Sequence, residues 1–190
     1  MTSATSRSLL ELIDGADERG LAAAGLACLD RCLPLLAGDR GDALRPVWAA
    51  VARGDGEAWG EAVAKARVEL DAELGADGTE DAEAVRGMLA YAPAVWTAEA
   101  LRVWAGECSV TALTLHGRYD AAEAPDGLVE RCRAGDADGA GPLLAGELRR
   151  QQTVLESVAH GPTGLRRARE LSVEGGRVLR AVVSRRARTA

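Results

Sequence analysis

Apolar residues recur at steps of three and four positions along almost the whole chain. The spacing is clearest over residues 21–35, 59–70 and 96–115, the last with one longer step. This period places the apolar side chains on one face of an α-helix, whereas the period of two that marks a half-buried strand is not sustained anywhere. The pattern therefore predicts an all-α protein.

Glycine, aspartate and proline interrupt the periodic segments where helices should begin and end, as at Gly38-Asp39, Asp77-Gly78 and Gly161-Pro162. The predicted helices span residues 6–16, 20–37, 42–53, 56–74, 80–91, 93–117, 126–133, 139–160 and 163–186. Short loops between them favour antiparallel neighbours. We expect one domain over residues 1–190, an antiparallel helical bundle of about seven to nine helices, with residues 1–6 and 187–190 frayed.

Three prolines refine these boundaries. Pro46 and Pro93 stand where the first turn of a helix tolerates a missing N–H group. Pro34 lies inside an apolar run, where it should kink or end the helix.

Two junctions repeat a glycine followed by an aspartate, at Gly54-Asp55 and Gly135-Asp136. In each, the glycine can end one helix in a left-handed turn and the aspartate can cap the next. The device predicts helical hairpins at both places.

Residue types that usually carry chemistry are scarce: the chain has two His, one Lys and no Asn. Together with the absence of Phe, this bias indicates a bacterial gene of high GC content, such as an actinomycete's. The sequence predicts neither a signal peptide nor a membrane-spanning segment. The four cysteines all lie in apolar helical contexts, which predicts reduced, buried thiols and a cytoplasmic protein.

Charge is distributed unevenly along the chain. The net charge is −6, but residues 149–190 carry ten Arg and three Glu, or +7, which leaves −13 for residues 1–148. An acidic body disfavours nucleic acid as a partner. The Arg-rich last helix, which includes Arg166 and Arg167, is amphipathic, so it can dock on the bundle, pair across a dimer or meet an anionic surface. Docking is favoured because Glu170 and Glu174 interrupt its basic face.

No motif identifies a catalytic centre. Cys28 and Cys32 are one helical turn apart and could offer two thiolates to a soft metal, but small core residues are the favoured interpretation. His116 and His160 stand near helix ends, where a partial positive charge suits the helix dipole. The chain has no nucleophile elbow, no phosphate-binding loop and no Glu-x-x-His pair. We therefore predict no catalytic residue, no bound metal and no cofactor.

The tryptophan, cysteine and histidine side chains on the apolar helix faces leave two interpretations open. The tryptophans most simply pack in the core. Alternatively, a small ligand or a metal could occupy a pocket between helices. That pocket would be lined by Cys28, Cys32, Trp48, Trp96, Trp104 and His116.

A third group of residues predicts a polar network. Asp30 and Arg31 lie between the two thiols on an otherwise apolar helix, and Glu147 and Gln151 lie one turn apart on a later helix. The later pair could hydrogen-bond a partner chain or Arg31. A network of this kind would fix the register of the helices.

Three segments resemble, in order, an all-helical bacterial family known as domain of unknown function 416. The first is Ala27-Cys28-Leu29-Asp30-Arg31-Cys32-Leu33-Pro34, and the second is Leu44-Arg45-Pro46-Val47-Trp48. The third runs from Glu147 through Gln151 and Leu155 to Leu165-Arg166. The chain departs from the family at Val173-Glu174-Gly175-Gly176, where a Ser-Asn-Ile-Gly stretch is usual. The resemblance implies a compact helical fold; it assigns no activity, because the family has no established one.

These observations favour a cytoplasmic, non-catalytic bundle that works through protein association. The partner would be a second copy of the chain or another protein. The acidic charge of residues 1–148 would suit an immunity-like or regulatory protein that binds over a basic enzyme. We expect neither a nucleic acid nor a membrane as partner. The alternative is a bundle that binds a small ligand or a metal near the Trp and Cys stripes.

Overall fold

All regular elements of the computed structural model, which describes residues 7–36, 42–72 and 78–189, are helical. The helices are α1 Leu9–Asp14, α2 Glu18–Cys32, α3 Arg45–Arg53, α4 Gly56–Ala72, α5 Glu80–Ala90, α6 Ala98–Arg118, α7 Leu128–Ala134, α8 Pro142–Val158 and α9 Pro162–Ala187. The all-α, single-domain bundle predicted from the sequence is confirmed. The predicted frayed residues 1–6, the break at Gly38-Asp39 and residues 73–74 of the fourth predicted helix lie outside the described residues.

Helix α2 is the centre of the bundle. Twelve of its 15 residues are buried, and it packs against α6, α8, α9 and α3. A helix surrounded in this way is apolar on nearly all sides, as its alanines and leucines are. Gly25 allows the closest approach, because a Cβ atom there would lie 2.5 Å from the Trp104 ring of α6.

The aromatic side chains pack mainly in the core. Trp59 is fully buried and meets the rings of Trp96 and Trp104 edge to face, at centroid distances of 5.4 and 5.5 Å. This geometry is the preferred one for aromatic pairs and stabilises the contact between α4 and α6.

The proline predictions are confirmed at two of three positions. Pro34 ends α2, which passes into a 3-10 turn over Leu33–Leu35, and Pro46 lies in the first turn of α3. The prediction for Pro93 is wrong. Helix α6 begins at Ala98, with Thr97 as its N-cap, and the Pro93 carbonyl accepts a hydrogen bond from Trp59 Nε1 at 2.7 Å.

At the two glycine-aspartate junctions, three of the four residues have the role that the sequence predicted. Gly54 and Gly135 both have positive φ, at 64° and 108°, and both end a helix. Asp55 caps α4 by accepting a hydrogen bond from Ala58 N at 3.0 Å. The prediction for Asp136 is wrong, because its carboxylate accepts from Asp138 N within a longer loop and lies too far from the start of α8 to cap it.

Helix α9 docks on the bundle through α2 and α8, as the interrupted basic face predicted. Its buried side is formed mainly by small and aliphatic residues, among them Leu165, Ala168, Leu171 and Leu179. The arginines remain on the outside of the bundle. Within the described residues, no helix combines the length and the apolar character needed to cross a bilayer.

Candidate functional site

Three of the four predicted polar residues of α2 and α8 meet in the interior, while Asp30 lies elsewhere. Arg31 donates from Nε to Glu147 Oε2 at 2.7 Å and from Nη2 to Glu147 Oε1 at 2.6 Å. Gln151 Nε2 donates to Glu147 Oε1 at 2.9 Å. The predicted hydrogen bond between Arg31 and the later pair is therefore confirmed.

His116 joins this network from α6. Its Nδ1 donates to the Ala112 carbonyl at 2.8 Å, and its Nε2 lies 3.6 Å from Glu147 Oε2. His116 is 1% exposed, while Arg31 and Glu147 are fully buried. The network thus connects α2, α6 and α8 at a point that solvent does not reach.

The charges of the network stabilise one another. Burial alone would raise the pKa of Glu147, but the Arg31 charge, an electrostatic contribution from His116 and the hydrogen bonds from Arg31 and Gln151 outweigh it and lower that pKa. The Arg31 guanidinium loses hydration on burial, yet the Glu147 carboxylate raises its pKa above the ordinary value. Both groups are therefore ionised at neutral pH.

Some buried polar atoms of the network have no hydrogen-bond partner among the described residues. They are Arg31 Nη1, Ser109 Oγ, His116 Nε2 and Gln151 Oε1. Each such atom costs free energy in the folded state. The Arg31–Glu147 pair contributes the strongest hydrogen bonds of the network. These bonds hold the network in place despite the cost of its unpaired atoms.

The two thiols of α2 flank this pair. Arg31 Nη2 donates to Cys28 Sγ at 3.6 Å, and burial raises the pKa of Cys28 to about 12. Burial also raises the pKa of Cys32 well above its ordinary value. A thiol is a poor nucleophile and a poor metal ligand while it keeps its proton. No group of three or more His, Cys, Asp or Glu residues in the described ranges could hold a metal ion.

The structure does not gather the six predicted pocket residues around one cavity. Cys28, Cys32 and His116 are buried in the packed interior, at 2%, 0% and 1% exposure. Trp48 lines a cleft between α2, α3 and α9, whereas Trp104 lines a groove between α5 and α6. Trp96 is half-buried and packs against Trp59. The six residues therefore lie at separate places in the fold, and Cys28 and Cys32 line neither the cleft nor the groove.

The cleft beside Trp48, here called the arginine cleft, is lined on α9 by Arg169, Arg177 and Arg180 and on α3 by Arg45. Its volume is about 220 Å³. Asp30 lies in its wall and accepts a hydrogen bond from Trp48 Nε1 at 3.0 Å. Although Asp30 and Arg31 are sequence neighbours, they face different parts of the fold, as adjacent helical residues do.

The groove between α5 and α6, here called the apolar groove, has a volume of about 590 Å³. Its lining residues are Glu83, Ala84, Gly87, Met88, Tyr91, Ala100, Val103, Trp104, Glu107, Cys108 and Thr111. Val103 and Tyr91 are 65% and 81% exposed. Sequence reasoning missed this surface, because Val103 has the same helical spacing as residues that are buried.

Asp120 is another residue whose role the sequence did not reveal. Its carboxylate accepts hydrogen bonds from Leu143 N at 2.8 Å and Leu144 N at 3.1 Å, in the first turn of α8. Arg186 of α9 donates to its carbonyl at 3.1 Å. Asp120 thus ties the end of α6 to the beginning of α8 and the end of α9.

The predicted interaction residues Arg166 and Arg167 lie on the exposed side of α9. Arg167 pairs with Glu170 at 3.8 Å, and Arg166 lines a shallow extension of the arginine cleft. Neither residue reaches the buried network.

The sequence matches no protein-family model, and comparison with curated proteins and with solved structures gives no match. The resemblance to domain of unknown function 416 stays a prediction.

Proposed function

We propose that this protein is a non-catalytic binding module whose apolar groove receives a basic amphipathic helix of another protein. The observation that carries the proposal is the exposure of Val103 and Tyr91 over a groove whose lining contains two acids and no Lys or Arg. Contiguous exposed apolar surface with a polar rim is typical of protein interaction sites.

The shape of the groove favours a helix as occupant. Helices α5 and α6 both line the groove, and its apolar lining includes Met88 and Trp104. Amphipathic helices bind such grooves through apolar residues spaced by three and four positions. Tyr91 supplies a large, amphipathic contact surface of the kind that is enriched at binding hot spots.

The charges on the rim favour a basic partner. Glu83 of α5 and Glu107 of α6 are both exposed at the groove. A second copy of the chain, docked groove to groove, would set these carboxylates against their own copies, and juxtaposed like charges oppose association. A helix that carries Lys or Arg beside its apolar face would instead complement them.

The buried network gives this surface a rigid support. Helix α6 carries Val103 and Glu107 on its outer side, and its inner side carries His116. A preorganised surface loses less conformational entropy on binding. The four free, buried cysteines further support a reducing compartment, and we place the protein in the cytoplasm.

The test uses two defined probes, an amphipathic helical peptide of leucine and lysine and a peptide of equal length with glutamate in place of lysine. Isothermal titration calorimetry should show binding of the first and not of the second. Val103→Gln should weaken binding at least about tenfold, a change of about 1.4 kcal/mol. Val68→Gln is the matched control, because Val68 on α4 is 69% exposed and lies outside the groove lining.

Two results would contradict the proposal. Equal effects of Val103→Gln and Val68→Gln, or equal binding of both peptides, would show that the contact is not specific to the groove or to charge. Native mass spectrometry adds an independent outcome. A homodimer that Val103→Gln dissociates and Val68→Gln leaves intact would make the groove a self-association surface and overturn the choice of a basic partner.

A further inference from the structure

The arginine cleft concentrates positive charge on a protein that is acidic as a whole. Arg45 of α3 faces Arg169 and Arg177 of α9 across the cleft. Beyond Trp48 the cleft continues into a second hollow of about 340 Å³, which shares Arg45, Trp48 and Arg169 with the first and adds Arg166. The two hollows together form one surface bounded by guanidinium groups.

The arginines of α9 at this cleft lie on one face of the helix. Arg166 and Arg169 are three residues apart, and Arg177 is eight residues further along, close to two helical turns. Like charges one turn apart, as at Arg166 and Arg169, disfavour the helix that carries them.

Three of the cleft arginines have no acid paired with them in the described part of the chain. In the described part of the chain, the guanidinium groups of Arg45, Arg166 and Arg177 have neither an ion pair nor a hydrogen bond. Arg167, which faces away from the cleft, does pair with Glu170. The contrast shows that α9 supplies a carboxylate to Arg167 outside the cleft, whereas the described residues supply none to Arg45, Arg166 and Arg177.

Among the described residues that line the two hollows, Asp30 is the one acid, and it is already engaged. Its carboxylate accepts from Trp48 Nε1 at 3.0 Å. Burial raises the pKa of Asp30, while Trp48, Arg31 and Arg169 oppose that rise. Trp48 is 5% exposed and forms a fixed wall between the hollows.

We propose that the arginine cleft binds a small anion that carries a phosphate group. Guanidinium groups donate paired hydrogen bonds that match phosphate oxygens, and several of them around one cleft match an anion with more than one charge. The volume fits a small molecule and not a duplex nucleic acid, which the net charge of −6 also repels. This site is separate from the apolar groove and does not depend on the function proposed for it.

The experiment titrates the full-length protein with pyrophosphate at low ionic strength, followed by calorimetry and by ³¹P NMR. We expect saturable binding of one pyrophosphate per chain. Arg169→Gln and Arg177→Gln should each weaken it at least about tenfold. Arg185→Gln is the matched control, because it removes the same charge from the same helix outside the cleft lining.

Each alternative explanation predicts a different experimental result. Equal loss in Arg169→Gln, Arg177→Gln and Arg185→Gln would show attraction by the overall charge of α9 and overturn the proposal. Absence of pyrophosphate binding would overturn it too. Tighter binding of citrate than of pyrophosphate would replace phosphate by a polycarboxylate, and binding of a polyglutamate peptide without pyrophosphate would make the cleft a docking surface for an acidic protein segment.

Discussion

The guanidinium group of Arg31 and the carboxylate of Glu147, 116 residues apart in the sequence, form a two-bonded pair in which both side chains are fully buried. Burying either charge alone is costly, and the paired geometry offsets much of that cost. The pair therefore constrains how α2 and α8 pack, because a shift of either helix along its axis would separate the two charges. Removal of one partner alone should therefore lower the free energy of unfolding strongly, because the other charge stays buried without its partner. Removal of both partners should cost less than the two separate losses together.

A double-mutant cycle tests this dependence. Arg31→Met and Glu147→Leu should each lower the free energy of unfolding by about 3–5 kcal/mol, because each leaves one buried charge without its partner. The double variant should be less destabilised than the sum of the single variants by at least about 2 kcal/mol. Urea denaturation followed by circular dichroism measures all four free energies. Additive effects would show that the two charges do not stabilise each other.

The pH dependence of stability should carry the signature of Glu147. Its pKa in the folded protein is lowered from the ordinary 4.5, so the folded state binds fewer protons than the unfolded state over this range. The contribution to stability is then complete above about pH 4.5 and is lost as the pH falls toward the folded pKa. Urea denaturation at a series of pH values from neutral to acidic should show this loss.

The double variant Arg31→Met/Glu147→Leu is the control for that measurement, because it lacks the titrating carboxylate. Its stability should fall less steeply than that of the natural protein as the solution is acidified. Parallel curves would mean that Glu147 has the same pKa in the folded and unfolded states.

Local signals in the sequence predicted most of the fold. Helical spacing and turn residues such as Gly54 and Pro34 depend on a few neighbouring residues, so they can be interpreted without knowing the tertiary structure. The Arg31 contact could also be predicted, because an arginine between thiols on an apolar helix requires a carboxylate if it is buried.

The surfaces could not be predicted in the same way. Val103 and Trp104 are adjacent and both apolar, yet one is 65% exposed and the other 3%. The difference arises because no helix in the described part of the chain covers the side of α6 on which Val103 lies, and periodicity does not reveal which helices become neighbours. The arginine cleft depends likewise on how α9 meets α3.

The two adjacent glycines of α9 should respond oppositely to a methyl group. A Cβ atom at Gly175 would clash with the Arg31 side chain at Cδ, whereas at Gly176 its nearest neighbour would be the Asp30 carbonyl at 3.7 Å. Arg31 cannot move away without giving up its bonds to Glu147. Gly175→Ala should therefore cost about 1–3 kcal/mol of stability, and Gly176→Ala should gain about 0.5–1 kcal/mol from helix propensity.

Thermal or urea denaturation of the two glycine variants provides the comparison, and each serves as the control for the other. A similar gain in stability for both would show that α9 does not approach α2 as closely at Arg31 as the structure places it. A similar loss for both would show that a methyl group at Gly176 does not fit at ordinary van der Waals distances as the structure indicates.

Asp120 should stabilise α8 although it belongs to the chain segment that follows α6. Its two carboxylate oxygens accept from Leu143 N and Leu144 N, and its charge lies at the positive end of the α8 dipole. Since α8 has Gly141 at its N-cap position and no side-chain cap of its own, Asp120→Ala should lower the free energy of unfolding by about 1–2 kcal/mol. Asp120→Asn keeps an acceptor oxygen and should cost less.

Asp126→Ala, at an exposed site in the same loop, should change stability by less than about 0.5 kcal/mol. Hydrogen exchange of the Leu143 and Leu144 amides provides the local measurement: faster exchange in Asp120→Ala alone is expected, and unchanged exchange would mean that the carboxylate does not cap α8 in solution.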